Sequence, residues 1–119
     1  AGAAGFMAAI TSAQHGQKTL LLDSNKKLCE KIRISGGGRC NFTNLNANHE
    51  TYISANPNFA RSALSQYTPE DFIHLVEKHK IKFHEKKLGQ LFCDISSKQI
   101  IEMLLKECAD TNVEIVHLS

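Results

Sequence analysis

The fold is decided by Ala1-Gly2-Ala3-Ala4-Gly5 and by the apolar run Leu20-Leu21-Leu22-Asp23 that follows it. Gly2 and Gly5 have the spacing of the last two glycines in the dinucleotide-binding pattern G-x-G-x-x-G. In that pattern the middle glycine lets the backbone approach a pyrophosphate, which then lies at a helix N-terminus. We therefore predict that Gly2, Ala3, Ala4 and Gly5 contact a dinucleotide. Small residues that serve only helix packing are the alternative.

Asp23 supports this interpretation through its position. It follows Gly5 by 18 residues, at the end of a strand predicted over residues 18–23. A dinucleotide-binding fold places an acid there to accept hydrogen bonds from the adenosine ribose. Such an acid favours a free 2′-hydroxyl, so FAD or NAD fits better than NADP. Asp23 and the adjacent Ser24 are expected in the site.

A second signal is the polar stretch Ser35-Gly36-Gly37-Gly38-Arg39-Cys40-Asn41-Phe42-Thr43-Asn44. Three consecutive glycines are costly to order, and they are expected where a backbone passes close to a ligand. Arg39 can pair with a phosphate or with a substrate carboxylate. Polar groups that can bond a flavin ring or a ribityl chain come from Ser35, Asn41, Thr43 and Asn44. The alternative is a flexible glycine linker.

Cys40 allows two interpretations. The adjacent Arg39 can lower the pKa of a thiol and so produce a reactive thiolate. The other interpretation is a residue that packs or lines the cofactor, and this one is preferred. The four cysteines form no C-x-x-C pair, and the six histidines form no metal-binding pattern. We therefore expect no metal site.

These stretches together resemble the YhiN/BaiN-type, aminoacetone oxidase-like family of FAD-dependent flavoproteins. The resemblance rests on Ala-Gly-Ala-Ala-Gly-Phe-Met-Ala-Ala, on Leu-Leu-Leu-Asp and on the segment from Lys31 to Asn44. Gly89-Gln90-Leu91-Phe92 is similar to a turn of that family. The resemblance covers essentially the whole chain, and Ser-Gly-Gly-Gly-Arg-Cys-Asn is its most specific part. The chain departs from the family in lacking the first glycine and its strand, and in having Asp23 where many members have Glu.

The resemblance implies an α/β fold, an incomplete Rossmann-like FAD/NAD(P)-binding domain with a parallel sheet. This domain would lack its first strand and its C-terminal portion. Residues 1–119 would form the N-terminal part of the FAD-binding domain of a larger flavin-dependent oxidoreductase. FAD would contact Gly2, Ala3, Ala4, Gly5, Asp23, Ser24, Lys31, Ser35, Gly36, Gly37, Gly38, Arg39, Cys40, Asn41, Thr43 and Asn44.

Catalytic residues are expected mostly outside this segment, with a small molecule as substrate and NAD(P)H as a candidate electron donor. Two alternatives stay open. One is an NAD-dependent dehydrogenase, and the other is a non-enzymatic remnant of a dinucleotide-binding fold.

Charge and hydropathy exclude other classes of function. With 14 basic and 12 acidic residues, the net charge is +2, which predicts no nucleic-acid partner. The cluster from Lys78 to Lys87 is interpreted as a solvated surface. No apolar run approaches the roughly 20 residues of a membrane span, so we expect no membrane partner and a cytoplasmic protein.

The predicted elements alternate between helix and strand. A parallel core is expected, with an insertion between its second and third strands. Most of the segment from Ser24 to Asn48 is predicted as loop, with 28–34 either a short helix or extended. Helices are predicted over 3–15, over 68–79 and after a cap at Ser96 or Ser97; strands are predicted over 18–23, 81–86, 91–94 and 113–118.

Overall fold

The computed structural model describes residues 1–117, which form two compact units. The first unit contains Ala1–Cys40 with residues 95–117, and the second contains Asn41–Asp94. The α-helices are α1 (Ala3–Gln14), α2 (Glu30–Ile34), α3 (Arg61–Gln66), α4 (Pro69–Lys78) and α5 (Lys98–Asp110). The strands are β1 (Leu20–Asp23), β2 (Asn41–Asn44), β3 (Phe83–Glu85), β4 (Gln90–Cys93) and β5 (Glu114–His117). Short 3-10 segments lie at Ser35–Gly38 and His49–Thr51.

The first unit has a parallel pair of strands at its centre. β1 and β5 pair in register from Leu20 opposite Glu114 to Asp23 opposite His117. Parallel strands need a long crossover, and the chain between them supplies one that includes the whole second unit. The prediction of an α/β fold with a parallel sheet is confirmed.

Helix α1 packs on β1 through the face that carries Phe6, Ala9 and Ile10, all buried. Their spacing of three and four residues places them on one side of the helix. The helix ends before Gly16, which takes the left-handed conformation at φ +81°. At Gly5 an added Cβ would meet Leu21 Cδ1 at 3.5 Å, so the last glycine of the motif lies where the helix and strand touch.

Burial of β1 differs from the sequence expectation. The continuous apolar run predicted a strand covered on both faces, but burial alternates along it. Leu21 and Asp23 are buried, whereas Leu20 and Leu22 are 54% and 48% exposed. Among residues 1–117, α1 packs on β1, while the side chains of Leu20 and Leu22 stay about half exposed.

The apolar residues of α5 recur at helical spacing, which predicts one core-facing side; of these, Ile100, Ile101, Leu104 and Cys108 are buried, and Leu105 is partly buried. Its N-cap residue is Ser97, but the Ser97 hydroxyl does not cap the helix. Ser96 Oγ instead accepts a hydrogen bond from the Lys98 N–H at 3.1 Å.

The second unit is built on an antiparallel sheet in the order β2–β4–β3. The predicted hairpin around Gly89 is confirmed as β3 and β4, with His84 opposite Phe92. Helix α4 packs on this sheet, where the Phe72 ring lies 5.9 Å from the ring of Phe42. The predicted start of α4 is also confirmed, because Thr68 is its N-cap, Pro69 opens its first turn, and Thr68 and Asp71 form a reciprocal capping box.

Three parts of the sequence prediction are wrong or incomplete. Within the segment from Ser24 to Asn48, the short-helix alternative for 28–34 is confirmed by α2, whereas the 3-10 turn and β2 were not predicted. Helix α3 was not predicted, because Arg61–Gln66 has few apolar residues and no capping residue. Strand β5 agrees with the prediction over residues 114–117, and its predicted end at Leu118 lies outside the described residues.

Candidate functional site

The N-terminus of α1 lies beside the carboxyl end of β1. The Ala1 nitrogen is 3.4 Å from Asp23 Oδ2 and donates to the Leu22 carbonyl at 3.3 Å. The structure therefore brings the glycine motif and Asp23 together, as the sequence predicted. This end of a parallel strand is where α/β folds place their ligands.

Gly2 is the N-cap of α1 and is exposed, as are Ala3 and Ala4. A Cβ added at Gly2 would have no atom of residues 1–117 within 4 Å. Packing within the described chain therefore does not require glycine at this position. A ligand that approaches the backbone closely does require it, so the open helix end fits a pyrophosphate.

The Asp23 side chain is held in place by the loop that follows it. Its Oδ1 accepts from the Asn25 N–H at 2.8 Å, and the residue is only 4% exposed. The hydrogen bond from the Asn25 backbone lowers the pKa of the carboxyl below 3.8, although burial opposes this. Asp23 is thus a charged acceptor at neutral pH, and the neighbouring Ser24 is exposed.

His117 is a residue of this region that the sequence analysis missed. It lies opposite Asp23 on β5, and its Nε2 hydrogen-bonds the Asn25 carbonyl. His117 reaches the loop after Asp23 only because β1 and β5 pair in parallel. No local pattern in the sequence could have indicated this contact.

Helix α2 leads into a tight glycine turn at Ser35–Gly38. Gly36, Gly37 and Gly38 all have left-handed backbones, with φ of +57°, +64° and +89°. Side chains are strained in this region, so the turn requires its glycines. The Ser35 carbonyl accepts from the Cys40 N–H at 3.0 Å and closes the turn. A hydrogen-bonded turn of this kind is not the flexible linker considered as the alternative.

Ser97 anchors this turn from the start of α5, and the sequence analysis did not identify it. Its N–H donates to the Gly38 carbonyl at 2.8 Å, and its Oγ donates to the Arg33 carbonyl at 2.8 Å. Ser97 is 2% exposed. One buried serine thus holds both α2 and the glycine turn.

The remaining predicted residues of the first unit differ in exposure. Lys31 and Arg39 are exposed, while Ser35 is partly buried and donates its hydroxyl proton to the Ile32 carbonyl at 2.9 Å. Cys40 is buried, and burial raises the pKa of its thiol. This shift is opposite to what a reactive thiolate needs and favours the interpretation of Cys40 as a packing residue.

Asn41, Thr43 and Asn44 belong to strand β2 of the second unit. Asn44 has a structural role there, because its Nδ2 donates to the Leu88 carbonyl at 3.1 Å and its Oδ1 accepts from the Asn46 N–H at 2.8 Å. The side-chain amide nitrogen of Asn41, in the orientation that gives both its oxygen and its nitrogen suitable partners, donates to the Thr43 and Leu91 carbonyls. Thr43 pairs with Leu91 across the strands.

Comparison with known proteins identifies relatives across the chain. The model of the HI0933-like protein Rossmann domain matches residues 1–119. The chain is 54% identical over 113 residues to the ribosomal RNA dihydrouridine synthase of Escherichia coli (strain K12), covering 95% of this chain and 28% of the relative. It is 52% identical over 108 residues to the protein of the same name from Haemophilus influenzae, covering 91% and 27%.

A third relative is the 3-dehydro-bile acid delta(4,6)-reductase of Clostridium scindens. It is 35% identical over 68 residues, which cover 56% of this chain and 17% of the relative. The chain therefore spans little more than a quarter of the length of the curated relatives that it matches over most of its residues. None of these relatives carries the name of the aminoacetone oxidase-like family that the sequence resembles. Membership of that particular family therefore stays a prediction.

These relatives correct one expectation. The even charge balance predicted no nucleic-acid partner, but proteins 54% and 52% identical are named for a reaction on ribosomal RNA. Net charge fails as a criterion here, because proteins also recognise RNA by stacking and hydrogen bonds to unpaired bases.

No helix within residues 1–117 combines the length and apolarity that crossing a membrane would demand. The helix–strand arrangement around Gly2 and Asp23 agrees with the family match over residues 1–119. The chain belongs to the HI0933-like proteins and forms part of their Rossmann domain, a dinucleotide-binding fold of flavoproteins.

Proposed function

We propose that this chain is the FAD-binding part of an oxidoreductase that reduces uridine in ribosomal RNA to dihydrouridine. One observation supports the FAD assignment most strongly. The N-terminus of α1, with open space at Gly2, lies beside Asp23 at the carboxyl end of β1. The relatives at 54% and 52% identity supply the substrate. An RNA of the ribosome as substrate would also place the protein in the cytoplasm.

Each part of the site has a proposed role toward FAD. The backbone from Gly2 to Gly5 binds the pyrophosphate, whose charge the N-terminus of α1 stabilises. Asp23, with Ser24 beside it, accepts from the adenosine ribose hydroxyls. The segment from Ser35 to Asn44, with Lys31 nearby in sequence, lies along the flavin side. The left-handed glycines let that backbone approach the cofactor without Cβ atoms.

The proposed chemistry adds two hydrogens across one carbon–carbon bond of the uracil ring. Reduced FAD, when bound, supplies a hydride, and a proton completes the saturated bond. An external reductant must then reduce the flavin again for the next cycle. The residues of this chain bind and orient the cofactor.

The test uses the full-length protein in a strain that lacks the gene. Ribosomal RNA from that strain should lack a dihydrouridine that returns on complementation with the wild-type gene. The purified full-length protein should also carry FAD, measured by absorbance and by cofactor release. Unchanged dihydrouridine content after deletion would contradict the RNA assignment, and a colourless protein that takes up no FAD would contradict the cofactor.

A second candidate is a reductase of a small unsaturated substrate. The observation in its favour is the 35% identity to the bile-acid reductase over 68 residues. It shares the flavin and the site with the first candidate and differs only in substrate. Holoenzyme that oxidises its flavin with a small unsaturated ketone, but not with ribosomal RNA, would favour this candidate.

A further inference from the structure

The second unit contains a groove of which only Phe42 and Thr43 belong to the segment assigned to the cofactor. A cleft of about 580 Å³ lies between the segment 45–49 and helices α3 and α4. It adjoins a smaller pocket of about 190 Å³. Ala47, Leu64, Thr68 and Pro69 line both, and the cleft and the pocket are together called the groove.

Four of the nine residues that line the smaller pocket are aromatic. Phe42 and Phe72 are two of them, and their ring centres are 5.9 Å apart. Tyr52 and Tyr67 are the other two, and they are 46% and 43% exposed. The Tyr52 ring is supported from one side by Phe59, whose ring centre lies 6.0 Å away at a near-perpendicular angle. Partly exposed rings held in this way suit the stacking of a flat ligand.

The larger cleft has both polar and apolar walls, and Arg61 is its one permanently cationic lining residue within residues 1–117. Arg61 enters it from the first turn of α3, and His49 lines it from the opposite segment. Asn46 and Asn48 add amide groups, and Glu70 is its one acidic lining residue within the described chain. A guanidinium beside an aromatic pocket pairs a phosphate-binding group with a base-stacking surface.

We propose that this groove binds an unpaired nucleotide of the RNA substrate, with its base in the aromatic pocket and its phosphate at Arg61. The inference rests on the proposed function and assigns the RNA contact to the second unit. Sequence-specific RNA recognition targets unpaired bases, which stack on aromatic rings and on arginine. Such binding does not need a strongly basic surface, which agrees with a net charge of only +2.

The test measures binding of the full-length holoenzyme to a single-stranded RNA oligonucleotide that contains the unreduced target uridine. Tyr52→Ala should weaken binding by on the order of tenfold or more, because it removes one stacking surface. Tyr52→Phe keeps the ring and should bind like wild type. Arg61→Ala should weaken binding and reduce the slope of log affinity against log salt by about 0.7, the value for one phosphate. Lys18→Ala, an exposed cation on the first unit, is the matched control and should change neither.

The outcomes separate this inference from the proposed function. Reduced RNA affinity in Tyr52→Ala and Arg61→Ala, with FAD content and melting temperature unchanged, supports the groove. Wild-type affinity in both variants, with dihydrouridine still formed, overturns the groove and leaves the proposed function standing. A peptide or small-molecule groove would give that same result. If the wild-type holoenzyme neither binds nor modifies RNA, both proposals are wrong.

Discussion

Asp23 holds the loop that follows β1 and is the proposed ligand of the adenosine ribose. Its Oδ1 is engaged by the Asn25 N–H at 2.8 Å, and its Oδ2 faces the start of α1. The two oxygens thus have different surroundings. This division allows the structural and the cofactor-binding roles of one side chain to be tested separately.

We predict that Asp23→Asn binds FAD roughly tenfold or more weakly, because a charge-assisted hydrogen bond is lost. The variant keeps a carbonyl oxygen for the Asn25 N–H, so its thermal stability should stay close to wild type. Asp23→Ala should lose both FAD affinity and stability. FAD titration and thermal unfolding of the full-length variants measure the two effects. Equal FAD affinity in wild type and both variants would place the ribose elsewhere.

Residue roles were predictable where one stretch of sequence carried the signal. The spacing from Gly5 to Asp23, with a strand between them, was enough to place that acid beside the helix. Ser97 and His117 were missed because their partners, Arg33 and Asn25, are 64 and 92 residues away in the chain. Contacts of this kind depend on the tertiary fold and have no local pattern.

At the scale of the element, local capping made α4 predictable. The Thr68 N–H donates to Asp71 Oδ2 at 2.8 Å, and Asp71 N–H donates back to Thr68 Oγ1 at 3.3 Å. Strand β2 was not predictable in the same way. Its polar sequence, Asn-Phe-Thr-Asn, has little strand character, and the strand forms because β4 pairs with it.

The α4 cap predicts a pH dependence of stability. Hydrogen bonds from Thr68, first its backbone N–H and then its hydroxyl, lower the pKa of Asp71 below 3.8. A carboxyl whose folded pKa is depressed stabilises the fold above its unfolded pKa, and this contribution is lost as pH falls through the folded pKa. Asp71→Ala should therefore be less stable than wild type at neutral pH. The difference should shrink below pH 3.8.

Urea unfolding of both proteins across this pH range measures the difference. Glu70→Ala is the control. Glu70 is an acid in the same first turn of α4, but it takes no part in the capping box with Thr68. A stability difference for Asp71→Ala that does not change with pH would contradict the cap.

The hydrogen bonds of Ser97 to α2 and the glycine turn predict how much stability the Ser97→Ala variant loses. Ser97→Ala removes the hydroxyl that donates to the Arg33 carbonyl, and a buried polar group left without its partner costs about 1–3 kcal/mol. Ser65→Ala removes an exposed hydroxyl bonded within its own helix, and should change stability by less than about 0.5 kcal/mol. Denaturant unfolding compares the two. Equal, small effects would mean that Ser97 does not anchor the turn.

At the scale of the whole molecule, β1 presents one apolar face that the described residues leave uncovered. Leu20 and Leu22 are 54% and 48% exposed, although apolar residues on a parallel strand are usually covered on both faces. The chain spans 28% of the Escherichia coli relative, so a longer protein has further chain with which to cover this face.

We therefore predict that the 119-residue chain alone unfolds less cooperatively than the full-length protein. Thermal and urea unfolding, followed by circular dichroism, should show a broader transition for the shorter chain. Substituting Leu22→Ser should destabilise the full-length protein but have little effect on the short chain. Equally sharp transitions for both chains would contradict this account of the sheet.

The proposed contact between the glycine turn and FAD can be tested with a pair of matched glycine variants. Gly37 and Gly16 both have left-handed backbones, at φ +64° and +81°, and an added Cβ at either has no atom of residues 1–117 within 4 Å. An alanine therefore costs a similar strain of roughly 1–2 kcal/mol at both positions. The measurement is the FAD content of the purified full-length proteins. We predict that Gly16→Ala retains FAD while Gly37→Ala loses most of it; equal FAD content in the two variants would contradict a contact between the glycine turn and FAD.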